Sequence, residues 1–275
     1  MGNFRMDSQI ITELEHISEQ HHLPPRQESI LGIKVNALNM RMTLEQVDQW
    51  VTSRAANYIC VTPAHSIMDG YNQPKLKQIF NESGMTTPDG MAIVWLLMLK
   101  GHRHVQRVYG PDLLLAACEH GLKKGYRHFF YGGKQSVADK LVEKITRQYP
   151  GLQIAGTFMH PFDSVTSEDD QQIVDKINRS KADILWVGLG SPKQEYWMHA
   201  HLGRLNVPVM IGVGAAFDFL SGAKPQAPVW MQRSGLEWLF RFASEPRRLW
   251  PRYRQYPKFI LLAVSELLEE KLKRF

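Results

Sequence analysis

The chain has 275 residues, 44% of them hydrophobic, so it can bury the core of a large domain and is not a disordered polypeptide. Its net charge is +6. The segment from residue 223 to 258 accounts for all of it, with eight basic and two acidic side chains. Two cysteines exclude a disulfide framework, and no apolar run reaches the roughly 20 residues of a membrane helix. A basic segment on a neutral body points to phosphates, nucleic acid or an anionic membrane surface.

From residue 30 onward, short β-branched runs alternate with helical patterns. The predicted strands are Leu31–Val35, Tyr58–Thr62, His128–Tyr131, Gln153–Gly156, Ile184–Gly188 and Val207–Val213. The predicted helices are Leu44–Ser53, Gly90–Lys100, Pro111–His120, Ser136–Tyr149, Ser167–Ser180 and Pro192–His201. Several strand runs are apolar at consecutive positions, which is typical of parallel strands covered on both faces. The pattern predicts an α/β fold, a Rossmann-like parallel sheet flanked by helices, whose ligands bind beyond the carboxyl ends of the strands.

Three polar residues in the predicted loops are candidates for catalysis. Thr62 ends a predicted strand, and its hydroxyl either caps the next helix, the more common role, or binds a ligand. Asp89 precedes Gly90 at the start of an apolar helix, as an N-cap or turn residue or as a general base. Arg107 either holds a phosphate or carboxylate or forms a surface ion pair with Asp112.

Two glycine-rich loops follow predicted strands and allow a ligand or a second backbone to approach closely. The pair Gly132 and Gly133 precedes Lys134, but no Ser or Thr follows this lysine, so the loop is not a Walker A motif. In the loop at 212–218, small residues including Gly214 lead to Asp218. This carboxylate is a base, a ribose ligand or a helix cap.

The loop at 188–195 carries the clearest binding pattern. Gly188 and Gly190 follow a strand, and Pro192 suits the first position of a helix. The N–H groups of that helix would face an anion, with Lys193 and Gln194 as further contacts. The third glycine of the dinucleotide fingerprint is missing, so the loop indicates nucleotide binding but not NAD.

Several common enzyme motifs are absent from the sequence. There is no Asp-x-Asp pair of the kind that holds a metal ion in many nucleotide-sugar enzymes. No set of His, Cys and carboxylate residues has metal-ligand spacing. Gly-x-Ser-x-Gly, the nucleophile elbow of hydrolases, is also missing. The sequence therefore predicts no metal site.

Six motifs, in the same order along the chain, resemble the WecG/TagA/CpsF family of bacterial glycosyltransferases over about residues 30 to 255. They are Thr-Pro-Asp-Gly at 87–90, Arg-Val-x-Gly-Pro-Asp at 107–112, Phe-x-Gly-Gly at 130–133, Gly-Leu-Gly-Ser-Pro-Lys-Gln-Glu at 188–195, Gly-Val-Gly-Ala-Ala-Phe-Asp at 212–218, and the C-terminal series Lys-Pro-Gln-Ala-Pro, Gly-Leu-Glu-Trp and Glu-Pro-Arg-Arg from 224 to 248.

The resemblance implies an inverting transfer from a UDP-sugar, commonly UDP-N-acetylmannosamine or its uronic acid. The implied acceptor is a sugar on a polyprenyl diphosphate at the cytoplasmic leaflet. Such products feed teichoic acid linkage units, enterobacterial common antigen, capsule or exopolysaccharide. The family implies no cofactor and no bound metal.

The resemblance also assigns roles to residues. Asp89 is the expected base, Thr62 is expected to line the donor-sugar pocket, and Arg107 is expected to stabilise the diphosphate or the sugar. The residues expected on the nucleotide-sugar side are Gly132, Gly188, Gly190, Lys193, Gln194, Gly214 and Asp218. The residues expected to meet the diphosphates or the membrane are Arg241, Arg247, Arg248 and Arg252.

The chain departs from the family pattern at one position. Many relatives have Asn two residues after the threonine, where this chain has Ala64, followed by His65. At this position the chain therefore lacks an amide side chain that would recognise a hydroxyl or N-acetyl group of the sugar. Glucose or another hexose remains open as the transferred sugar.

The sequence predicts three parts: an N-terminal extension at 1–26 with one weak helix, an α/β catalytic domain at 27–222, and a basic aromatic appendage at 223–275. The appendage interleaves arginines with aromatic residues and continues as an amphipathic helix from Phe259 to Phe275. This composition suits a membrane interface, and packing against the domain itself or another subunit is the alternative. The protein is expected to be cytoplasmic and peripheral on the inner face of the cell membrane, with homo-oligomers left open.

Two rival functions come from other classes. A nucleic-acid-binding protein would use the basic segment but would leave the glycine-rich loops unexplained. A nucleotide-dependent oxidoreductase would need the dinucleotide fingerprint, which fails here. Among the glycosyltransferases, the alternative is a UDP-glucose-type donor in exopolysaccharide synthesis. The glycosyltransferase interpretation predicts no nucleic-acid partner.

Overall fold

The computed structural model describes residues 26–159 and 166–273, so the predicted N-terminal extension lies almost wholly outside the described residues. An antiparallel pair, β1 (Gln27–Ile30) and β2 (Ile33–Asn36), opens the described chain. The main sheet in the described ranges consists of β3 (Asn57–Thr62), β4 (Met85–Pro88), β5 (Arg127–Tyr131), β6 (Gln153–Phe158), β7 (Ile184–Val187) and β8 (Val209–Gly212). Its order is β4-β3-β8-β7-β5-β6, and every neighbouring pair is parallel. The predicted parallel α/β fold is confirmed.

Helices connect the strands and form the C-terminal part of the described chain. They are α1 (Met40–Ser53), α2 (Ala64–Asn72), α3 (Pro74–Asn81), α4 (Met91–Leu99), α5 (Gly110–Leu122), α6 (Gln135–Gln148), α7 (Ser167–Ser180), α8 (Lys193–His201), α9 (Ala216–Ser221), α10 (Val229–Arg233), α11 (Glu237–Ser244), α12 (Pro246–Tyr253) and α13 (Tyr256–Leu272). None of these helices combines the length and the apolar character that crossing a membrane requires.

The sheet is buried on both faces, as the apolar strand sequences predict. Along β3, Tyr58 and Cys60 belong to one hydrophobic cluster, while Ile59 and Val61 belong to the other. This alternation follows from the two-residue period of a strand, which points successive side chains to opposite faces. Because the strands are parallel, the loops after β3, β4, β7 and β8 all emerge at one edge of the sheet. That edge carries the candidate site.

The prediction of one strand over Leu31–Val35 is wrong. Leu31 and Gly32 form a turn between β1 and β2, with φ angles of 53° and 80°. Two consecutive positive φ angles are the geometry of a type I′ hairpin turn. Leucine is unusual at such a position, so the residue pattern contains little indication of the turn.

Strand β4 is also absent from the predicted strands, because the sequence at 86–90 is typical of a loop. Thr86 and Thr87 are buried in this short edge strand, and the Thr86 N–H donates to Asn36 Oδ1 at 2.9 Å. A four-residue strand with two threonines and a terminal proline resembles a turn in sequence. Pro88 is tolerated because it stands at the end of an edge strand. Helices α2 and α3, which follow β3, were likewise not predicted.

The C-terminal helix α13 packs on the body of the protein through one face. Phe259 and Ala263 are buried in the core, and Glu266 Oε2 accepts a hydrogen bond from the Leu31 N–H at 2.8 Å. Glu270 forms an ion pair with Lys100, just after α4. Other apolar side chains of α13 remain exposed, namely Ile260, Leu261, Val264, Leu268 and Leu272. The amphipathic helix is thus partly a packing element, and its last two predicted residues lie outside the described chain.

Candidate active site

Two adjoining cavities open at the carboxyl edge of the sheet. The first, here called the polar cavity, has a volume of about 480 Å³ and lies between the loops after β7 and β8 and the arginines of α11 and α12. The second, here called the apolar cavity, has a volume of about 430 Å³ and lies between α4, α11 and α13. Pro63, His65, Asp89 and Arg241 line both cavities, so these residues mark their junction.

Asp89 follows β4 directly and presents its carboxylate at this junction. Its backbone N–H donates to the Thr62 carbonyl at 3.3 Å, which fixes the loop against β3. The N-cap of α4 is Gly90, with no side-chain capping bond, so the capping role considered for Asp89 is not the one that the structure shows. Burial raises the pKa of Asp89, and the Glu237 carboxylate adds to the rise, whereas Arg107 and Arg241 oppose it.

Arg107 connects Asp89 to the C-terminal segment. Its Nη2 lies 3.0 Å from Asp89 Oδ1 and 2.6 Å from Glu237 Oε2, and its guanidinium stacks 4.0 Å above the centre of the Tyr109 ring. The carboxylate partners of Arg107 are therefore Asp89 and Glu237, and the predicted surface pair with Asp112 is not among its described ion pairs. Glu237 is not among the predicted site residues. Its only indication in the sequence is that it is an acidic residue in a strongly basic segment.

Thr62 is fully buried and lines neither cavity. Its hydroxyl donates to the Cys60 carbonyl at 3.0 Å, within its own strand. The N-cap of α2 is Pro63, and no side-chain bond caps that helix, so Thr62 does not have the capping role either. The structure places Thr62 beneath Asp89 as part of the strand that supports the site.

The glycines of the site have different roles. Gly188 lies against Phe217, since an added Cβ would come within 2.5 Å of that ring. Gly132 packs against Gly188, since an added Cβ on Gly132 would be 3.1 Å from the Gly188 carbonyl carbon. Gly132 does not line the polar cavity. Gly190 does line that cavity, has a φ of 78° and would direct an added Cβ into open space. Close packing explains Gly188 and Gly132, while Gly190 leaves room for a ligand.

Gln194 joins the loops after β7 and β8. Its Oε1 accepts a hydrogen bond from the Gly214 N–H at 2.9 Å, and its Nε2 donates to Glu195 Oε1 at 3.0 Å. The amide of Gln194 thus holds the two loops together, and the residue also lines the polar cavity. Lys193 begins α8 and lines the polar cavity, so this helix directs its N-terminus towards the cavity. A helix N-terminus favours a bound anion.

Cationic side chains surround the mouth of the polar cavity. Arg252 reaches from α12 to the β7 loop, where its Nη2 donates to the Ser191 carbonyl at 2.9 Å. Arg248 forms an ion pair with Glu245, and Asp218 lies 3.1 Å from Lys224 without capping α9. Apart from Glu245, these side chains line the polar cavity, as does Arg241. Arg247 is exposed and lines neither cavity, so the structure does not direct it to the polar cavity with the other predicted diphosphate residues.

No group of His, Cys, Asp and Glu side chains in the described residues is arranged to hold a metal ion. The positive charge at the polar cavity comes instead from arginine and lysine side chains and from the N-terminus of α8. Such groups bind diphosphates by charge-assisted hydrogen bonds. The site thus combines a cavity lined by cationic groups, an apolar cavity and, between them, the mostly buried carboxylate of Asp89.

This architecture belongs to an enzyme, a glycosyltransferase. The model of the glycosyl transferase WecG/TagA/CpsF family matches residues 28–273, which includes every element from β2 to α13, and the chain belongs to this family. The resemblance found in the sequence motifs is therefore confirmed, and its span is slightly longer than expected.

Relatives of known name support the same conclusion. The chain is 34% identical to an N-acetylglucosaminyldiphosphoundecaprenol N-acetyl-beta-D-mannosaminyltransferase of Bacillus subtilis over 71% of this chain and 73% of that protein. It is 30% identical to the protein of the same name in Bacillus spizizenii over 70% and 72% of the two chains. A protein of that name in Staphylococcus aureus is 23% identical over 84% and 89%.

Proposed function

We propose that this protein transfers a hexose or N-acetylhexosamine, of the N-acetylmannosamine type, from a UDP-sugar to a polyprenyl-diphosphate-linked sugar in cell-surface polysaccharide synthesis. The observation that carries the proposal is the position of Asp89, where an arginine-lined cavity meets an apolar one. The names of the relatives support the proposed acceptor, because those names specify a sugar linked to diphosphoundecaprenol.

The polar cavity is assigned to the donor. Arg241, Arg248 and Arg252 line it from one side, and the N-terminus of α8 and Gly190 line it from the other. As the bond between the sugar and the diphosphate breaks, negative charge grows on the leaving UDP. Preorganised cations and N–H groups stabilise that charge most strongly in the transition state. Arg107 is assigned to orient Asp89 and to add positive charge beside the transferred sugar.

Asp89 is assigned as the general base. The acceptor hydroxyl attacks C1 of the donor sugar from the face opposite UDP, the new C1–O bond forms while the C1–O bond to the diphosphate breaks, and the hydroxyl proton passes to the carboxylate. This displacement inverts the anomeric centre. A raised pKa suits the task, because a stronger base accepts the proton more readily near neutral pH.

The apolar cavity is assigned to the acceptor. Trp95, Trp238 and Tyr256 line it, and aromatic faces pack well against sugar rings and prenyl chains. The exposed side chains of Trp250 on α12 and Leu261 on α13 fit contact with a lipid surface. We therefore place the protein at the inner face of the cytoplasmic membrane as a peripheral protein.

One residue beside the cavities bears on the identity of the donor sugar. Ala64, at the junction of α2 with β3, lacks the amide that would read an N-acetyl group. A UDP-glucose-type donor is therefore the second candidate.

A panel of UDP-sugars assayed with a lipid-diphosphate-linked N-acetylglucosamine acceptor tests the proposed function. UDP-N-acetylmannosamine, UDP-N-acetylglucosamine and UDP-glucose cover the candidates. Formation of a glycosylated lipid with release of UDP from one of them is the expected result. Transfer to water alone, or no UDP release with any donor, would contradict the proposal.

A further inference from the structure

His65 is a buried residue at the junction of the two cavities whose role the proposed mechanism leaves open. It lies in the first turn of α2, is only 7% exposed, and lines both the polar and the apolar cavity. Its Nδ1 is buried and has no hydrogen-bond partner among the described residues. Because Nδ1 is shielded from solvent, the ring nitrogen available to a ligand in the cavities is Nε2, which likewise has no hydrogen-bond partner among the described residues.

The surroundings of His65 determine its charge. Burial holds the pKa of His65 well below its usual range, and the guanidinium groups of Arg252, Arg241 and Arg248 lower it further. The imidazole is therefore neutral near pH 7 and does not act as a countercharge for phosphate. A neutral imidazole carries one N–H donor and one nitrogen acceptor. It pairs with uncharged polar groups such as hydroxyl and amide groups.

The neighbours of His65 show which part of the substrate brings such a group. The diphosphate-binding arginines lie on its polar-cavity side, and Asp89 shares the junction with it. In a transfer reaction, the transferred sugar lies between the diphosphate and the base. Ala64, the preceding residue, has no side-chain hydrogen-bonding group, and the Ser66 hydroxyl lies 3.2 Å from the Ser191 hydroxyl, so the imidazole is the polar group of this turn of α2 that has no partner among the described residues.

We propose that His65 is a specificity-determining residue that hydrogen-bonds a hydroxyl or acetamido group of the donor sugar through Nε2. This inference rests on the proposed function, because it needs a UDP-sugar in the polar cavity. The contact is made to the transferred sugar and not to UDP, so it affects donors that differ in the sugar and leaves the affinity for UDP alone nearly unchanged.

Calorimetric titration of the full chain with UDP and with the three UDP-sugars tests the inference. His65→Leu removes both ring nitrogens, and we expect it to weaken binding of the preferred UDP-sugar about five- to tenfold more than binding of UDP, the effect of one hydrogen bond. His65→Gln carries an amide near the position of Nε2 and should restore most of the loss. His65→Asn ends one carbon short of that position and should not.

His120→Asn is the matched control, because His120 pairs with Asp48 at the end of α5 far from the cavities. The inference would be overturned if His65→Leu lost the same affinity for UDP as for the UDP-sugars, or if the Asn and Gln variants bound the UDP-sugars equally well. In that case, sugar transfer by the wild type would still uphold the proposed function. A wild-type chain that binds no UDP-sugar would overturn both. Should the Leu variant fail to fold, the comparison of Asn with Gln decides.

Discussion

Arg107 donates to Glu237 over 2.6 Å and thereby ties the body of the protein to its C-terminal segment. The same guanidinium donates to Asp89 through Nε at 3.1 Å. Helix α11 is therefore linked to the carboxylate at the cavity junction by hydrogen bonds of the Arg107 side chain. The C-terminal segment is thus part of the site and contributes more than charge at its edge.

Asp89→Asn should remove the base and leave the shape of the site intact. We expect kcat to fall by about 10²- to 10⁴-fold, because an amide does not accept the acceptor proton. The affinity for UDP should change less than about threefold, since the diphosphate groups lie elsewhere in the polar cavity. Turnover and UDP titration on the same preparation measure both. Turnover close to that of the wild type would eliminate Asp89 as the base.

Glu237→Gln should shift the pH dependence of transfer. The Glu237 carboxylate raises the pKa of Asp89, after burial as the larger cause, while Arg107 and Arg241 lower it. Losing this carboxylate lowers the pKa of Asp89, so the acid limb of the kcat profile moves to lower pH. The rate at neutral pH falls because the base is weaker.

A pH–rate profile of this variant beside Glu119→Gln checks the prediction. Glu119 is exposed on α5, so this control loses the same charge away from the site. An acid limb that stays in place in Glu237→Gln would show that the two carboxylates are not coupled.

Arg248 and Arg247 are adjacent in sequence but differ in their relation to the polar cavity. Both side chains are exposed, but Arg248 lines that cavity and Arg247 does not. Arg248→Ala should weaken UDP binding about tenfold or more, the contribution of a charged hydrogen bond to phosphate. Arg247→Ala should retain UDP affinity and weaken binding to anionic vesicles. Similar UDP affinities for the two variants would remove Arg248 from the diphosphate site.

Substitution of exposed apolar residues should reduce membrane binding without unfolding the protein. Deleting the C-terminal helices would also uncover the core around Phe259, so Leu261→Asp is the sharper change, because this side chain is 72% exposed on α13. We expect about tenfold weaker binding to anionic vesicles in a flotation assay. Leu202→Asp, at an exposed position after α8, is the control. Equal flotation of both variants would contradict the proposed membrane face.

Glu195→Gln should stabilise the protein at high pH. Glu195 is fully buried next to the β7 loop, where burial raises its pKa to about 7 from 4.5. Between these two values the unfolded chain is ionised and the folded chain is protonated, so the stability contribution falls as the pH rises and stays low above pH 7. We expect the variant to gain about 1–3 kcal/mol over the wild type at pH 8.5 and little near pH 4.5. Urea unfolding at the two pH values measures the gain, and an equal gain at both would contradict it.

Much of the fold could be predicted from the sequence, because parallel strands buried on both faces have a distinctive apolar pattern. Strands β3, β5, β7 and β8 were predicted within a few residues. The same reasoning failed for β4. Its Thr86 and Thr87 are polar but buried, because other segments, including β2 with Asn36, pack against this edge strand. Local sequence does not show which polar residues tertiary contacts will bury.

The candidate site divides in a similar way. The structure brings Asp89, Arg107, Gly190 and the predicted arginines other than Arg247 to the two cavities. For Asp89 and Gly190 this position follows from the sequence pattern, because the carboxyl ends of parallel strands must meet at one edge. Gln194, expected to contact the nucleotide, holds two loops together, and Thr62 donates to its own strand. Hydrogen-bond partners depend on distances between segments far apart in sequence, so the motifs did not give these roles.

The sequence by itself determined the family, the parallel α/β core and the concentration of charge in the segment from 223 to 258. These properties reside in local patterns and in motif order, which need no coordinates. The tertiary structure decided where the charge acts: Arg241, Arg248 and Arg252 face the polar cavity, and Arg247 faces solvent. It also brought Glu237 to Arg107 across 130 residues of sequence. Only packing of the C-terminal helices against the body creates that proximity.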